Sequence, residues 1–218
     1  QQIAYYHAHR GARVLFLTAL SETVESLITH AQKLSFFEAG LVAQRLFYMS
    51  LSSELQSGGL SAVLDEIRRL AREHRAQLLL LDGLQTLRYA AAGPLEFRRF
   101  IFDLNAQLGS LGVTSAFISA AGSLDEVESE AAVADGIIQL NQESFGWLAA
   151  RYLQVLKLRN AAHFIGKHSF IITDSGLTVY PRLEAAVAAE GVPPAPSDGR
   201  NRLSTGVAGL DQVMDGGL

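Results

Sequence analysis

A run of four leucines that ends in an acidic residue constrains the fold of this chain more than any other feature. Residues 77–86 read QLLLLDGLQT, so Asp82 and Gly83 directly follow the apolar run. Four consecutive large apolar residues between polar ones are typical of a strand buried on both faces of a parallel sheet. Upstream, residues 61–74 carry apolar side chains at helical spacing, which predicts an amphipathic helix. The sequence therefore predicts an α/β fold with Asp82 at the carboxyl end of a buried strand.

The position of Asp82 has two interpretations. Open α/β sheets bind their ligands beyond the carboxyl ends of the strands. In nucleoside triphosphatases an aspartate at that position holds a magnesium ion or its water. An Asp-Gly pair is also a common turn that ends a strand. These residues alone leave both interpretations open.

Further α/β elements follow from the same patterns. We predict strands over residues 12–18, 45–49 and 113–119, helices over 1–9 and 95–109, a short helical piece from 36 and a loop over 56–59. A polar group, Ser21-Glu22-Thr23, follows the first of these strands. Ser21 or Thr23 can cap the next helix, and Glu22 can be a first-turn glutamate favoured by the helix dipole. Glu22 fits a catalytic role equally well.

The pattern changes from residue 135. Short strands joined by tight turns are predicted over residues 135–141, 151–159, 168–173 and 177–180. The alternation within 151–159 predicts an antiparallel edge added to the parallel sheet, with Lys157 and Arg159 on one face. Taken alone, these two residues are interpreted as solvated charges that protect a sheet edge from aggregation.

Composition excludes several classes of protein. Hydrophobic residues make up 49% of the 218 residues and charged residues 18%, which is a globular composition. No apolar run approaches the roughly 20 residues that span a bilayer, so no membrane partner is expected. Cysteine is absent, which excludes disulfides and thiolate metal sites and fits a cytoplasmic location. The net charge of −4 argues against a general nucleic-acid binder.

Taken together, these motifs resemble the KaiC-like branch of the RecA-type P-loop ATPases, over nearly all of residues 1–181 and again over the last stretch. The most specific part is residues 153–181, which supplies the family's pattern residues Lys157, Arg159, His163, Gly166, Phe170, Thr173, Asp174 and Gly176. The resemblance implies an α/β, RecA-like three-layer fold: a mostly parallel central sheet flanked by helices, with antiparallel C-terminal strands.

The resemblance also implies roles for individual residues. Glu22 would be the general base for the attacking water, and Ser21 stands where the family has the first glutamate of a pair. Asp82 would serve Mg²⁺. A further set would bind the nucleotide of the neighbouring subunit, with the last two residues near its base or ribose: Lys157, Leu158, Arg159, His163, Thr173 and Asp174. Cations supplied in trans would stabilise the charge that phosphoryl transfer spreads over the γ-phosphate oxygens.

The resemblance predicts a tandem organisation. Residues 1–182 would form an ATPase domain, 183–201 a Pro/Ala-rich linker, and 202–218, RLSTGVAGLDQVMDGGL, the opening of a second KaiC-like domain. No G-x-x-x-x-G-K-[ST] pattern occurs in the chain. We therefore expect residue 1 to lie inside the helix that follows the phosphate-binding loop.

Three functions are weighed on these grounds. The first is an ATPase domain that uses ATP and Mg²⁺ and transfers a phosphoryl group to water or to Ser/Thr. It would belong to a cytoplasmic homo-oligomeric ring, expected to be hexameric, that acts in signalling or timing with a protein partner. The second is a RecA/RadA-like DNA-dependent ATPase; the acidic segment 122–130 and the small apolar segment 90–94 argue against it. The third is a non-catalytic assembly module. Ser21 and the absent P-loop pattern favour it, whereas Glu22, Asp82 and the Lys157/Arg159 pair argue against it.

Overall fold

The structure, a computed structural model, describes residues 1–20, 22–120 and 128–183. The predicted linker and second-domain segment beyond residue 183, the predicted acidic helix face up to residue 127, and Ser21 lie outside the described residues. The helices are α1 Gln2–His9, α2 Val24–Ala31, α3 Ser52–Glu73, α4 Leu84–Ala90, α5 Pro94–Ser110 and α6 Glu128–Val133, with a 3-10 turn at Ala39–Leu41. The strands are β1 Val14–Thr18, β2 Leu46–Ser50, β3 Leu78–Asp82, β4 Thr114–Ile118, β5 Gly136–Phe145, β6 Leu148–Leu158, β7 His168–Thr173 and β8 Gly176–Tyr180.

The first four strands form a parallel sheet in the order β2-β1-β3-β4. Thr18 at the end of β1 lies opposite Ser50 on one side and Asp82 on the other. All five residues of β1 and the first four of β3 are buried, because both strands are central and covered on both faces. The prediction that the leucine run forms a buried strand ending at Asp82 is therefore confirmed.

Helices cover both faces of this sheet and produce three layers. Alternate residues of β1 and β3 pack against α3, α4 and α5 on one face, among them Leu15, Leu17, Leu79 and Leu81. The intervening residues pack against α1 and α2 on the other face, among them Val14, Phe16, Leu78 and Leu80. The predicted RecA-like three-layer arrangement is confirmed. In the described ranges, no helix has both the length and the apolar character that crossing a membrane requires.

Two local predictions on this sheet's helices differ from the structure. The predicted loop at 56–59 is wrong, because α3 begins at Ser52 and runs through these residues with a kink at Gly59, whose φ is 61°. Helix α4 was not predicted, although Leu84 and Leu87 are both buried. Both segments are short or rich in glycine, so burial against the sheet decides their conformation rather than local propensity.

The last four strands form a second, antiparallel sheet in the order β5-β6-β7-β8. The strands predicted in this part are confirmed, but the prediction that residues 151–159 add an edge to the parallel sheet is wrong. Strand β6 pairs with β5 along almost its whole length and with β7 on its other side. Both hydrogen-bonding edges of β6 are therefore occupied within the second sheet.

The turn between β7 and β8 joins the second sheet to the first part of the chain. Ser35 N donates to Asp174 O at 2.9 Å. Gly176 has a φ of 93°, and a Cβ there would lie 2.6 Å from Gln2 Oε1 and 3.0 Å from Phe36 Cε1. This close approach, together with the positive φ, requires glycine at residue 176.

Candidate functional site

Hydrogen bonds connect the residues at the carboxyl ends of β1 and β3. Thr18 is fully buried, and its Oγ1 accepts a hydrogen bond from Leu20 N at 3.1 Å. Ala19 N donates to Asp82 O at 2.9 Å, and Ser52 Oγ donates to Leu20 O at 3.1 Å. These bonds hold the segment that leaves β1 over the end of β3, at the edge where α/β sheets bind ligands.

Asp82 lies at this edge with a conformation fixed by its own turn. Its Oδ1 accepts from Gly83 N at 2.8 Å, and the side chain is half-buried. Gly83 has a φ of 84°, and a Cβ there would lie 2.9 Å from the Leu20 side chain. The Asp-Gly pair thus forms a turn, as one interpretation predicted, and it also presents a carboxylate at the carboxyl edge. The role of Asp82 at a magnesium ion stays a prediction.

The amino end of α1 points to the same edge. Helix α1 leads through Gly11 directly into β1 and packs against β1 and β3, so it runs opposite to the strands. Because the carboxyl end of α1 connects to the start of β1, the amino end of α1 lies on the side of the sheet where β1 and β3 end. A helix amino end carries unpaired N–H groups and a partial positive charge, which favour anions such as phosphate.

The donors present here fit a magnesium ion that arrives with phosphate. Mg²⁺ in phosphoryl-transfer sites takes one or two carboxylates and fills its other positions with water and substrate oxygens. Asp82 supplies one carboxylate beside the helix amino end. Within the described ranges, no group of three or more His, Asp or Glu side chains could hold a metal ion by itself. The site therefore fits a metal–phosphate pair better than a free ion.

Glu22 lies between β1 and α2, and its carboxylate is bound by α2. Its Oε1 accepts from Ser26 Oγ at 2.8 Å and lies 3.0 Å from His30 Nδ1. Thr23 is the N-cap of α2, and its Oγ1 accepts from Ser26 N at 3.2 Å. The capping role expected of Ser21 or Thr23 thus belongs to Thr23. The sequence patterns did not indicate Ser26 or His30 as partners of Glu22.

Lys157 and Arg159 lie together at the end of β6 and bind the end of α6. Lys157 Nζ donates to Ala131 O at 2.8 Å. Arg159 donates to Asp135 Oδ1 at 3.2 Å and to Ala132 O at 3.1 Å. Their interpretation as merely solvated edge charges is therefore wrong. Neither cation contacts Glu22 or Asp82 in the described part of the chain.

The remaining residues predicted for the site occupy the second sheet. Leu158 ends β6 and is 42% exposed. His163 lines a pocket of about 270 Å³ together with apolar side chains and His168. No role was predicted for His168, which is buried: its Nδ1 accepts from Arg182 N at 3.1 Å, so its Nε2 carries the proton that faces Phe164 O at 3.3 Å.

Thr173 and Asp174 lie in the β7–β8 turn. Thr173 Oγ1 accepts from Ser175 N at 3.2 Å, and Asp174 Oδ1 accepts from Ser175 Oγ at 3.3 Å. This turn lies against the first turn of α1 in the same chain, through Gln2. The predicted contact of Thr173 and Asp174 with a base or ribose stays a prediction.

The comparisons with known proteins agree on one family. A family model described as "ATPase: KaiC" matches residues 1–184. The chain is 28% identical over 217 residues to the circadian clock oscillator protein KaiC of Synechococcus elongatus, covering 94% of this chain and 40% of that protein. It is 32% identical over 165 residues to the KaiC of Rippkaea orientalis, covering 73% and 30%. The chain thus spans less than half the length of these curated relatives.

Two further similarities fit the same pattern. A UPF0273 protein of Thermotoga maritima is 33% identical over 118 residues, covering 53% of this chain and 48% of that protein. The crystal structure of a KaiC-like protein from Pyrococcus horikoshii superposes with a TM-score of 0.70 at 23% identity, covering 82% of this chain and 80% of that one. The structural similarity supports the fold.

Proposed function

The chain belongs to the KaiC family of ATPases, and from this premise we propose that it binds and hydrolyses ATP in a ring-forming protein, with each nucleotide held between two subunits. The observation that carries the proposal is the carboxylate of Asp82 at the carboxyl edge of the sheet, the edge on which the amino end of α1 also lies. An acidic group for the metal and a helix amino end for the phosphates are the two features that triphosphate binding requires.

We assign the ATPase domain to residues 1–182, a linker to 183–201 and the opening of a second KaiC-like domain to 202–218. The family match ends at residue 184, which supports the first boundary. The proposed oligomer is a homo-hexameric ring in the cytoplasm with a signalling protein as partner, and its cofactors are ATP and Mg²⁺.

In the proposed mechanism Asp82 orients the metal–phosphate pair. When bound, Mg²⁺ neutralises charge on the phosphate oxygens. Glu22 orients the attacking water and accepts its proton. Water is the proposed phosphoryl acceptor, and a Ser or Thr is the alternative one. Ser21 replaces one of two family carboxylates, so hydrolysis is expected to be slow.

Lys157, Arg159 and His163 are proposed to reach the nucleotide of the neighbouring subunit, next to Leu158. Both cations bind α6, yet each retains donors for a phosphate. A lysine has three N–H groups, of which Lys157 uses one on α6. An arginine has five, of which Arg159 uses one on α6 and one on Asp135. They can therefore stabilise the transition-state charge while they remain bound to α6. Thr173 and Asp174 are proposed to contact the base or ribose.

A second candidate function is a non-catalytic assembly module. It is favoured by one observation: the side chains of Glu22, Lys157 and Arg159 all have partners within their own chain. Under this alternative the same contacts are structural, and nucleotide turnover does not depend on them.

The test is ATP hydrolysis and Mg·ATP binding by the full-length protein and three variants. Glu22→Gln is expected to lower kcat by at least about 100-fold, the scale of a lost general base, with ATP binding retained. Asp82→Asn is expected to weaken Mg·ATP binding. Glu25→Gln, an exposed glutamate in the first turn of α2, is the matched control and is expected to change neither. Equal hydrolysis by wild type and Glu22→Gln would favour the assembly module.

A mixing experiment tests the arrangement in trans. Rings of Lys157→Met subunits and rings of Glu22→Gln subunits are each expected to be inactive. Mixed rings contain interfaces that pair an intact Glu22 with an intact Lys157 from the neighbour, so part of the activity should return. If mixing restores nothing while both proteins still assemble, Lys157 acts in its own subunit and the proposal of a shared site is wrong.

A further inference from the structure

We propose that His30, together with Ser26, is a positioning residue that orients Glu22 for catalysis; this inference rests on the proposed function of Glu22 as general base. His30 Nδ1 lies 3.0 Å from Glu22 Oε1, and Ser26 Oγ donates to the same oxygen at 2.8 Å. Neither residue belongs to the motifs that identify the family in this sequence.

The local structure explains why these two side chains reach Glu22. Ser26 and His30 are four residues apart and lie in one row along α2, and Glu22 precedes Ser26 by four residues, just before the helix begins. Side chains of a helix lean toward its amino end, so Ser26 and His30 both lean toward the residue that precedes the cap. An adjacent side of α2 is anchored in the core by Leu27 and Ala31, which fixes the row relative to the sheet.

Glu22 needs such partners because its own backbone does not orient it. It precedes the N-cap Thr23 and lies outside the regular helix. Its side chain is 30% exposed, so packing leaves it room to change rotamer. With Oε1 bound by two groups of α2, the carboxylate has a defined plane. No hydrogen bond to Oε2 occurs in the part of the chain that the structure describes, which leaves that oxygen for the water.

This arrangement predicts a specific kinetic effect. His30 touches neither the metal–phosphate position nor Asp82 among the described contacts, so its loss should not change nucleotide affinity. It should lower the fraction of time that Glu22 spends in the productive orientation, which lowers kcat and leaves KM for ATP unchanged. A residue that only stabilised the fold would lower the melting temperature and the apparent kcat in proportion to the folded fraction, so kcat is compared per folded protein, and rescue by asparagine separates the two roles.

The experiment compares His30→Ala, His30→Asn and Ser26→Ala in the full-length protein. His30→Ala is expected to lower kcat about tenfold, because misplacing a catalytic group by 1 Å can cost up to ~100-fold. His30→Asn keeps an N–H donor near the position of Nδ1 and should restore most of the rate. Ser26→Ala should lower kcat in the same direction. Because His30 is 60% exposed, all variants should fold, which thermal unfolding checks.

The same change in the Glu22→Gln background separates this inference from the proposed function. There, His30→Ala should cause no further loss. If Glu22→Gln lowers kcat but His30→Ala does not, the positioning role is overturned and the function of Glu22 stands. Equal losses with alanine and asparagine, or a rise in kcat, also overturn it. If Glu22→Gln itself has no effect, both proposals fall.

Discussion

The side chain of Gln2, in the first turn of α1, is joined to the backbone of Leu177, in β8, by two hydrogen bonds. Oε1 accepts from Leu177 N at 2.8 Å, and Nε2 donates to Leu177 O at 3.4 Å. The two residues are 175 positions apart in the chain. The bonds connect the antiparallel sheet to the helix whose amino end faces Asp82, so this contact couples the second sheet to the candidate nucleotide site.

Removing this side chain should loosen that connection. We expect Gln2→Ala to lower the free energy of unfolding by about 1 kcal/mol, the usual contribution of an exposed hydrogen-bonding group. Gln2→Glu keeps the acceptor of the shorter bond and should lose less. Urea unfolding measures the changes, and Gln56→Ala, at an exposed position on α3, is the control. A Gln2→Ala protein as stable as the control would show that the contact contributes nothing.

Gly176 tests the same contact from the opposite side. Gly176 and Gly11 have nearly equal φ, 93° and 90°, but only a Cβ at Gly176 meets other atoms, Gln2 Oε1 at 2.6 Å and Phe36 Cε1 at 3.0 Å. Gly11→Ala should cost about 1–2 kcal/mol from the left-handed backbone alone. Gly176→Ala should cost more, and the excess should shrink when Gln2 is also changed to alanine. Equal losses of stability in Gly176→Ala and Gly11→Ala would show that the added Cβ at residue 176 is not crowded.

The sequence predicted the parts of this fold that depend on local pattern. Four consecutive leucines are enough to indicate β3, because only a strand covered on both faces buries all of them. The pairing of Thr18 with Asp82 depends in addition on strand order and register, which the sequence patterns did not indicate. Helix α4, which is short, and the first half of α3, which contains two glycines, were missed because tertiary packing makes these segments helical.

The candidate site was also predictable only in part, because the contacts of its residues depend on the tertiary structure. The family motif identifies Lys157 and Arg159, but their contacts lie on α6, 26 and 27 residues upstream, and no local spacing indicates them. The partner of Glu22 was equally hidden, because a histidine eight positions later fits no motif. The contact between His30 and Glu22 can be recognised only once the structure shows that α2 begins after Thr23 and in which direction its side chains point.

The contacts of Lys157 and Arg159 with α6 predict a local change in stability. Cations near a helix carboxyl end bind its unpaired carbonyls and interact favourably with its dipole, by about 0.3–1 kcal/mol each. Lys157→Met combined with Arg159→Met should therefore speed amide hydrogen exchange in α6 and at the start of β5. Arg151→Met is the control, because Arg151 lies on the same strand and binds Gln142 instead. Unchanged exchange in α6 would show that the cations do not hold it.

A surface cluster on the second sheet predicts how stability depends on pH. Glu143 Oε1 accepts from Lys167 Nζ at 2.7 Å and from Tyr152 OH at 3.0 Å. The hydrogen bond from Lys167, followed by that from Tyr152, lowers the pKa of Glu143 below its ordinary 4.5. The hydrogen bond to Glu143 raises the pKa of Lys167 above its ordinary 10.5.

The signs of these shifts define a pH window. A carboxyl group whose pKa is lowered by folding stabilises the fold at pH values above its ordinary pKa. This contribution is lost as the pH falls through the folded-state pKa. An amine whose pKa is raised by folding stabilises the fold at pH values below its ordinary pKa. This contribution is lost as the pH rises through the folded-state pKa. Glu143→Gln should therefore be less stable than wild type between pH 4.5 and 10.5, with the difference vanishing toward either extreme.

Tyr152→Phe is the matched variant for this window. It removes the hydroxyl but keeps the ring, over which Lys167 Nζ lies 4.2 Å from the centroid. It should retain the pH dependence with a smaller amplitude, since the ion pair of Glu143 and Lys167 remains. Urea unfolding of the three proteins across the pH range measures the amplitude, which will be small and salt-sensitive because both charged side chains are partly exposed. A Glu143→Gln protein whose deficit is the same at every pH would show that the loss comes from packing and not from the ion pair.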